Sequence, residues 1–486
     1  MVVLAIFWLL FFAAAVSGIR WTLYLFFCSL AFGSLAILPV NLTGGTTFLP
    51  HTACSALLCV RSFIACRKPH LLVDGLLDYN KLGLLTAFIV FGLMVTYTAP
   101  FLFHGAPIMG LNNITRSPLG FGSGNITQPL YLLAAFAITI SIYQLLLQTE
   151  TRRMVYQAIF IGGAMAVLAG MIDMATAGSG LLAPLRTATY VIMDGDDVGG
   201  MRRVIGFNTE ASAYGTLVLS FGSMIYFMRL GEALGGIYAK IQTPLALALI
   251  AFTVLSTSSA AFLGLGVLGM MAVFANVLAL RHPADEKRAL IQLLVIGAGA
   301  IVVAALVIAT PSLFNGVVDL VDSLIFKKTS SSSYSERSSW NIVSLEGLVA
   351  TGGYGVGVGS TRASSWPVAV LSSTGVIGGL MMALFFLRLM TASLRGASDE
   401  IRRVVVGARY ALLICLIPGA VAGTLVDFGA FNATLFAITT ALPTLIPVAT
   451  RRRRMRRPGA GEPRTIAPRA QPAPRPARAG VRRVAR

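Results

Sequence analysis

Four arginines, Arg202, Arg203, Arg337 and Arg362, are the side chains of this sequence best suited to chemistry. Arg202 and Arg203 open the run MRRVIGFNTEASAYG, which also holds Glu210. Arg337 precedes Trp340 in SERSSWNIV, and Arg362 follows the glycine run GYGVGVGS. Guanidinium groups grip diphosphates through paired hydrogen bonds and keep their charge where the dielectric is low. Such a set suits an anionic substrate and a transition state that gathers negative charge. Arg186 lies in the same segment as Arg202 and Arg203 and is a further substrate-binding candidate. Trp340 and Tyr354 offer faces for stacking on sugar rings, or else belong to an aromatic belt at the membrane interface. Glu210 stands where an apolar run begins. A carboxylate there is costly unless paired, so it is either a functional acid or a salt-bridge partner for Arg202 or Arg203.

Metal chemistry has less support. His51, His70, His104 and His282 are scattered, with no HExxH or comparable spacing. Asp194, Asp196 and Asp197 offer oxygen ligands for a divalent cation. The glycines in DGDDVGG instead read as a solvated turn. We expect no metal and no cofactor. The five cysteines fall in or beside apolar runs without a CxxC pair, as small core residues do.

Membrane helices must position these residues. Of 486 residues, 56% are hydrophobic and 12% charged, where a soluble domain carries about 25% charge. Apolar runs near the length of a bilayer span recur from end to end. The expected fold is an all-α polytopic membrane protein with about 12–14 transmembrane helices. The runs lie at 2–19, 21–38, 51–66, 82–99, 129–148, 154–174, 211–229, 244–257, 260–280, 289–309, 368–391, 406–426 and 433–450. Leu245 to Leu280 is too long for one helix, and the Ser-Thr-Ser-Ser cluster at 256–259 predicts a re-entrant turn between two short ones. The first run lacks a charged flank and reads as a retained span, although AAAVSG also fits a signal-peptide cleavage site.

The net charge of +19 is concentrated in one place: 451–486 holds 13 arginines and one glutamate, leaving +7 for the rest. That Pro/Ala/Arg-rich segment cannot build a core and reads as a disordered cytoplasmic tail that anchors topology and attracts anionic lipid, not nucleic acid. Lys and Arg otherwise alternate between loops, which places the N-terminus outside and makes 1–450 the membrane domain.

Two outer loops, at about 176–210 and 311–367, carry the candidate residues, and the second is too long for a mere connector. Leu313, Val317, Leu320, Val321 and Leu324 share one helical face, as in an amphipathic helix lying on the membrane. Lys327 and Lys328 then read as headgroup contacts. SERSSWNIVSLEGLVA fits a second short helix capped by a serine. TGGYGVGVGS is not a dinucleotide fingerprint, which needs a βαβ setting. It is either a flexible turn re-entering the membrane or backbone amides that approach an anion.

Three blocks together resemble the bacterial O-antigen polymerase and O-antigen ligase superfamily. RRVIGFNTEASAYG is similar to that family's arginine, glycine and Glu-Pro-Ser stretch, with Thr209-Glu210-Ala211-Ser212 standing in the last place. LSTSSAAFLGLG resembles its serine-rich turn before a span, with Ala260 where an arginine often follows. ERSSWNIV, followed by GYGVGVGSTRASSWPVAVLSSTGVIGG, resembles its large outer loop. Ligases of the superfamily carry a His-Asn pair after the glycines. Here Thr361-Arg362-Ala363-Ser364-Ser365 holds no histidine, which favours a polymerase.

The resemblance implies a GT-C-like glycosyltransferase in the bacterial inner membrane, with its active site on the outer face. It implies two glycans on polyprenyl diphosphate, joined without a metal as the acceptor hydroxyl attacks the donor's anomeric carbon and polyprenyl diphosphate leaves. Arg203 and Arg337, then Arg362, would hold the diphosphate. Glu210 would orient them or act as general base. A chain-length regulator and a flippase would be the protein partners. Ligation to a lipid or protein acceptor is the alternative within this class, and a transporter of lipid-linked sugars the alternative outside it. A transporter should carry charged groups or broken helices at the bilayer midplane.

Overall fold

The computed structural model describes residues 2–39, 47–66, 69–111, 115–189, 191–193, 197–198, 201–281, 283–309 and 332–446. The chain divides into Met1–Ile446 and Pro447–Arg486. The second unit lies outside the described residues. So do the predicted amphipathic helix at 313–324, Lys327, Lys328, Asp194 and Asp196.

Apolar sequence in lipid must satisfy its own backbone, and a helix does so within one segment. The chain accordingly forms α1 (Val2–Val16), α2 (Ile19–Ser29), α3 (Pro50–Ile64), α4 (Pro69–Leu77), α5 (Gly83–Leu102), α6 (Gly124–Leu146), α7 (Thr149–Ala175) and α8 (Ala211–Met228). It continues with α9 (Leu230–Leu234), α10 (Gly236–Leu255), α11 (Ser259–Ala279), α12 (Pro283–Ala309), α13 (Ser332–Ala350), α14 (Trp366–Thr391), α15 (Asp399–Ala422) and α16 (Gly429–Thr444). Two small antiparallel ribbons interrupt the helices. β1 (Pro107–Met109) pairs with β2 (Arg116–Pro118), and β3 (Asp197–Val198) pairs with β4 (Met201–Arg202).

All thirteen predicted spans overlap a helix. Eight of the helices, α5, α6, α7, α8, α10, α11, α14 and α15, are long and apolar enough to cross a bilayer. The protein is thus a mostly helical, multi-pass membrane protein. The expected second outer-loop helix is present as α13.

Two predicted spans differ from the structure. The run at 21–38 is helical only to Ser29. Beyond it the backbone turns inward: the Ser34 amide donates to the Phe207 carbonyl and the Ile37 amide to that of Phe48. Ala31, Leu35 and Ile37 are buried there, so these residues are apolar because they line protein, not because they cross lipid. The predicted pair of short helices around 256–259 is instead α10 and α11, each long enough to span. Their joint is a buried turn in which Thr257 adopts φ 47° and the Ser258 hydroxyl caps α11 by accepting from the Ala261 amide.

α8 is the central helix, packed by α7, α10, α11 and α15, while α6 packs on α16 and α3, and α5 on α14. Aromatic edges close the core, as where Phe221 meets Phe431 at 4.8 Å and Phe385 meets Phe436 at 5.2 Å. One end of the bundle gathers basic loops. There Arg153 donates to the Leu234 carbonyl, Arg229 pairs with Asp285, and Arg388 lies over the Tyr79 ring. The candidate residues lie towards the opposite end.

Candidate functional site

Amides of the glycine run are bonded to the protein around them. α14 breaks at Gly375, whose φ of 70° and ψ of −177° interrupt the helix and free the carbonyls before it. The amides of Val356 and Gly357 donate to the carbonyls of Ser372 and Ser373, and the Val376 amide donates back to Gly353. The Val358 amide donates to the Thr96 hydroxyl at 2.9 Å. A Cβ on Gly355 would lie 2.5 Å from the Gly375 nitrogen, and one on Gly359 would lie 2.0 Å from the Gly124 carbonyl oxygen. Glycine is therefore required on both sides of the break. Non-helical backbone is tolerated at this depth because protein covers it.

This buried run delivers Arg362 to a fixed place. Its amide donates to the Met109 carbonyl, and its own carbonyl accepts from the Ser344 hydroxyl at 3.1 Å. Its neighbours are held as well, with the Ser364 amide donating to Asn341 and the Thr361 hydroxyl within 3.0 Å of Ser344. The guanidinium lies 4.8 Å above the ring of Trp340, which is itself buried against Met109 and Val343. Such a contact is worth about 0.5–2 kcal/mol. The Arg362 Nε is buried with no hydrogen-bond partner. Burial pulls the Arg362 pKa down, the positive charge of Arg337 adds to that, and Glu336 opposes it. Arg337 and Arg362 are thus close enough to repel each other, a cost that an anion between them would relieve.

Arg362 lines a polar cavity of about 680 Å³. His51 enters it from the first turn of α3, Asn125 and Gln128 from the start of α6, and Asp427 from the loop between α15 and α16. Asn125 is 1% exposed and ties the wall together, donating to the Val358 carbonyl and to the Ser360 hydroxyl. Asp427 also lines a second cavity of about 370 Å³ that reaches Thr216 and Ser220 of α8. Protein packed around the Asp427 carboxyl pushes its pKa up, against the pull of nearby backbone amides. A third space, an apolar groove of about 800 Å³ along α1, α2 and α7, is lined by a residue next in sequence to two that line the polar cavity, at the start of α3. Pro50 lines the groove, and Leu49 and His51 line the cavity.

The other arginines are held differently. Asp173, near the end of α7 and 1% exposed, is a hub. Its Oδ1 accepts from Arg186 at 2.8 Å and from Arg202 at 3.3 Å. Its Oδ2 accepts from the amides of Ile205 and Gly206 at 2.9 and 3.0 Å. Arg186 also donates to the Gly206 carbonyl. Of the two alternatives for Glu210, the salt bridge to Arg202 or Arg203 is not found among the described residues. Arg202 uses Asp173, and Glu210 accepts a hydrogen bond from the Ser212 hydroxyl at the start of α8. Arg203 is part-buried, and its Nε has no partner. The segment at 186–189 runs from this hub to the cavity, where Thr189 meets Thr47 at 2.6 Å.

Of the eight residues predicted from sequence, Arg362 lines the cavity, Trp340 supports its guanidinium and Arg337 lies within range of its charge. Arg186 and Arg202 meet at Asp173. Arg203, Glu210 and Tyr354 do not line the cavity. Tyr354 packs against Phe103 and Phe91, with its hydroxyl 2.8 Å from that of Thr98. Sequence reasoning missed Asp427 and His51. The available signal was position: Asp427 is the one acid between Glu400 and Glu462, and it stands where two apolar runs meet. Among the described residues, no three His, Cys, Asp or Glu side chains converge as metal ligands would. Comparison with family models and with curated proteins gives no match for this chain.

Proposed function

We propose that this protein joins oligosaccharide repeat units carried on polyprenyl diphosphate, acting as a polysaccharide polymerase at the outer face of the bacterial inner membrane. The observation that carries the reading is the polar cavity with Arg362 fixed in its wall, without a carboxylate partner among the described residues and within range of the charge of Arg337. An amphiphilic substrate suits the two spaces, with sugars in the polar cavity and an isoprenoid chain along the apolar groove that Pro50 lines. Arg337 and Arg362 hold the diphosphate and take up the charge that builds as it leaves. Asp427 accepts the proton of the attacking hydroxyl, and its raised pKa makes it a stronger base than an ordinary carboxylate. Arg203, in the loop at 176–210, does not line the cavity but has an unpartnered Nε, and it is the further diphosphate ligand for substrate that reaches that loop, which Glu210 orients through Ser212.

Ligation to another acceptor is the second reading. Although the glycine loop holds no histidine, His51 lines the same cavity from a different helix, which restores an imidazole to the site.

The test is direct. Purified protein in liposomes is given a polyprenyl-diphosphate oligosaccharide without nucleotide sugar, with and without chelator, and products are resolved by size. A ladder at multiples of the repeat unit, lost in Arg362→Ala, supports polymerisation. A single transfer onto a different acceptor supports ligation. Unaltered glycans that merely cross the bilayer would sink both and leave a transporter.

A further inference from the structure

At the basic end of the bundle, α8, α11, α12 and α15 enclose a cavity of about 320 Å³ whose lining includes Arg229, Arg288, Arg402 and Arg403. Two of the four are already paired. Arg229 bonds Glu232 and Asp285, and Arg288 bonds Glu232. Burial raises the Glu232 pKa, but hydrogen bonds and charge from Arg229 and Arg288 outweigh it and hold the carboxylate ionised. Arg402 and Arg403 have no ion pair among the described residues, although Asp399 and Glu400 lie one turn away. They also stand in the first turns of α15, where the helix dipole disfavours a cation. Arg403, part-buried, and Arg402, exposed, thus line one cavity at the positive end of a helix without an ion pair among the described residues, an arrangement suited to an anion.

The rest of the lining limits which anion. Phe227, Leu278, Ala279, Val406 and Tyr410 make apolar walls. α11 also shows Phe274 and Val277 outward, 51% and 46% exposed, on a helix apolar enough to span. A phosphate with an acyl chain beside it fits both parts, and basic pockets between membrane helices are a recognised mode of binding acidic headgroups. We infer that this cavity binds the phosphate headgroup of an anionic phospholipid through Arg402 and Arg403. The inference is independent of the proposed glycan chemistry, since it concerns the opposite end of the molecule.

Native mass spectrometry of the full chain in detergent tests it, with phosphatidylglycerol, phosphatidylcholine and inorganic phosphate as probes. Phosphatidylglycerol should bind about tenfold tighter than phosphatidylcholine, and the preference should vanish in Arg402→Ala/Arg403→Ala. Arg395→Ala, which removes an exposed cation outside the cavity, should leave it intact. If the double variant fails to fold, Arg402→Gln alone should cost about threefold, as for an exposed charge contact. Equal binding of the two lipids, or a preference unchanged in the variants, overturns the inference. Inorganic phosphate that binds as tightly as the lipid assigns the cavity to a free anion and overturns the lipid as its source.

Discussion

Arg186 and Arg202 share one buried carboxylate, whereas Arg362 lines a cavity within range of the Arg337 charge, with no carboxylate bonded to either among the described residues. The first arrangement is saturated: every oxygen of Asp173 is used, and the result fixes the segment before α8. The second is left short of negative charge. Burial of a cation is costly unless something compensates it, and at Arg362 the compensation is the face of Trp340, the unbonded charge of Glu336 and whatever enters the cavity. Identical side chains in two neighbouring loops thus divide into structural and ligand-ready sets according to whether the fold supplies an acid.

The largest effect should come from breaking the saturated set. Asp173→Ala would remove the carboxylate that two arginines and two amides share, and removing one partner of a buried ion pair costs about 3–5 kcal/mol. A thermal melt in detergent should show that loss. A variant that melts like the parent would show that the hub does not hold the loop, and the contrast between the two sets would fall.

The open set should behave in the opposite way. Arg362→Ala should reduce glycan transfer by about 10²–10³, the usual cost of losing a preorganised charge in a transition state. The melting temperature should move little, because no ion pair is lost. Arg362→Lys should recover little, since lysine cannot reproduce the fork. Equal loss of stability in Arg362→Ala and Asp173→Ala would erase the distinction.

Asp427→Asn sharpens the same contrast from the acidic side. Transfer should fall by about 10², and in the parent the rate should rise with pH through an inflection above the ordinary carboxylate range. Stability should change in the other direction. Folding raises the pKa of Asp427 from its usual 3.8, so the folded state holds the proton more tightly than the unfolded one. The resulting penalty is absent below that usual value and complete above the folded-state value. Asparagine removes the penalty, so the variant should be as stable as the parent in acid and somewhat more stable at neutral pH. A variant that loses both activity and stability would make Asp427 a structural residue.

The backbone beneath the site gives a smaller effect. At Gly359, φ is 83° and a Cβ would strike the Gly124 carbonyl. Gly359→Ala should cost about 1–3 kcal/mol and misplace Arg362, lowering transfer and melting temperature together. Loss of transfer at an unchanged melting temperature would mean that the run acts on substrate directly.

What the sequence made legible follows from what each signal encodes. Runs of apolar residues encode helices, because lipid leaves the backbone no other partner, so the thirteen runs all met helices. They do not encode whether apolar residues face lipid or protein, and the segment after Ser29 was misread for that reason. Arg362 and Trp340 were visible as a charge and a ring close to a glycine run. Their partners were not. Asp173 lies 29 residues before Arg202, and His51, Asn125 and Asp427 reach the cavity from three separate helix ends. The glycine run and the break at Gly375 belong together: a Cβ on Gly355 would meet the backbone at Gly375, and one on Gly375 would meet the carbonyls of Gly353 and Tyr354.

Tyr354 is the mildest test and separates packing from recognition at the residue where the two readings differ most. As an aromatic residue it offered either a face for stacking on sugars or a place in the interface belt, but its hydroxyl is engaged by Thr98 and its ring by Phe103 and Phe91. Tyr354→Phe removes only the hydroxyl. The lost hydrogen bond should cost about 0.5–1.5 kcal/mol of stability, with kcat and KM for glycan transfer unchanged. A rise in KM without loss of stability would instead mean that Tyr354 leaves Thr98 to bind the glycan. The substrate would then extend beyond the polar cavity along α5, towards the break in α14.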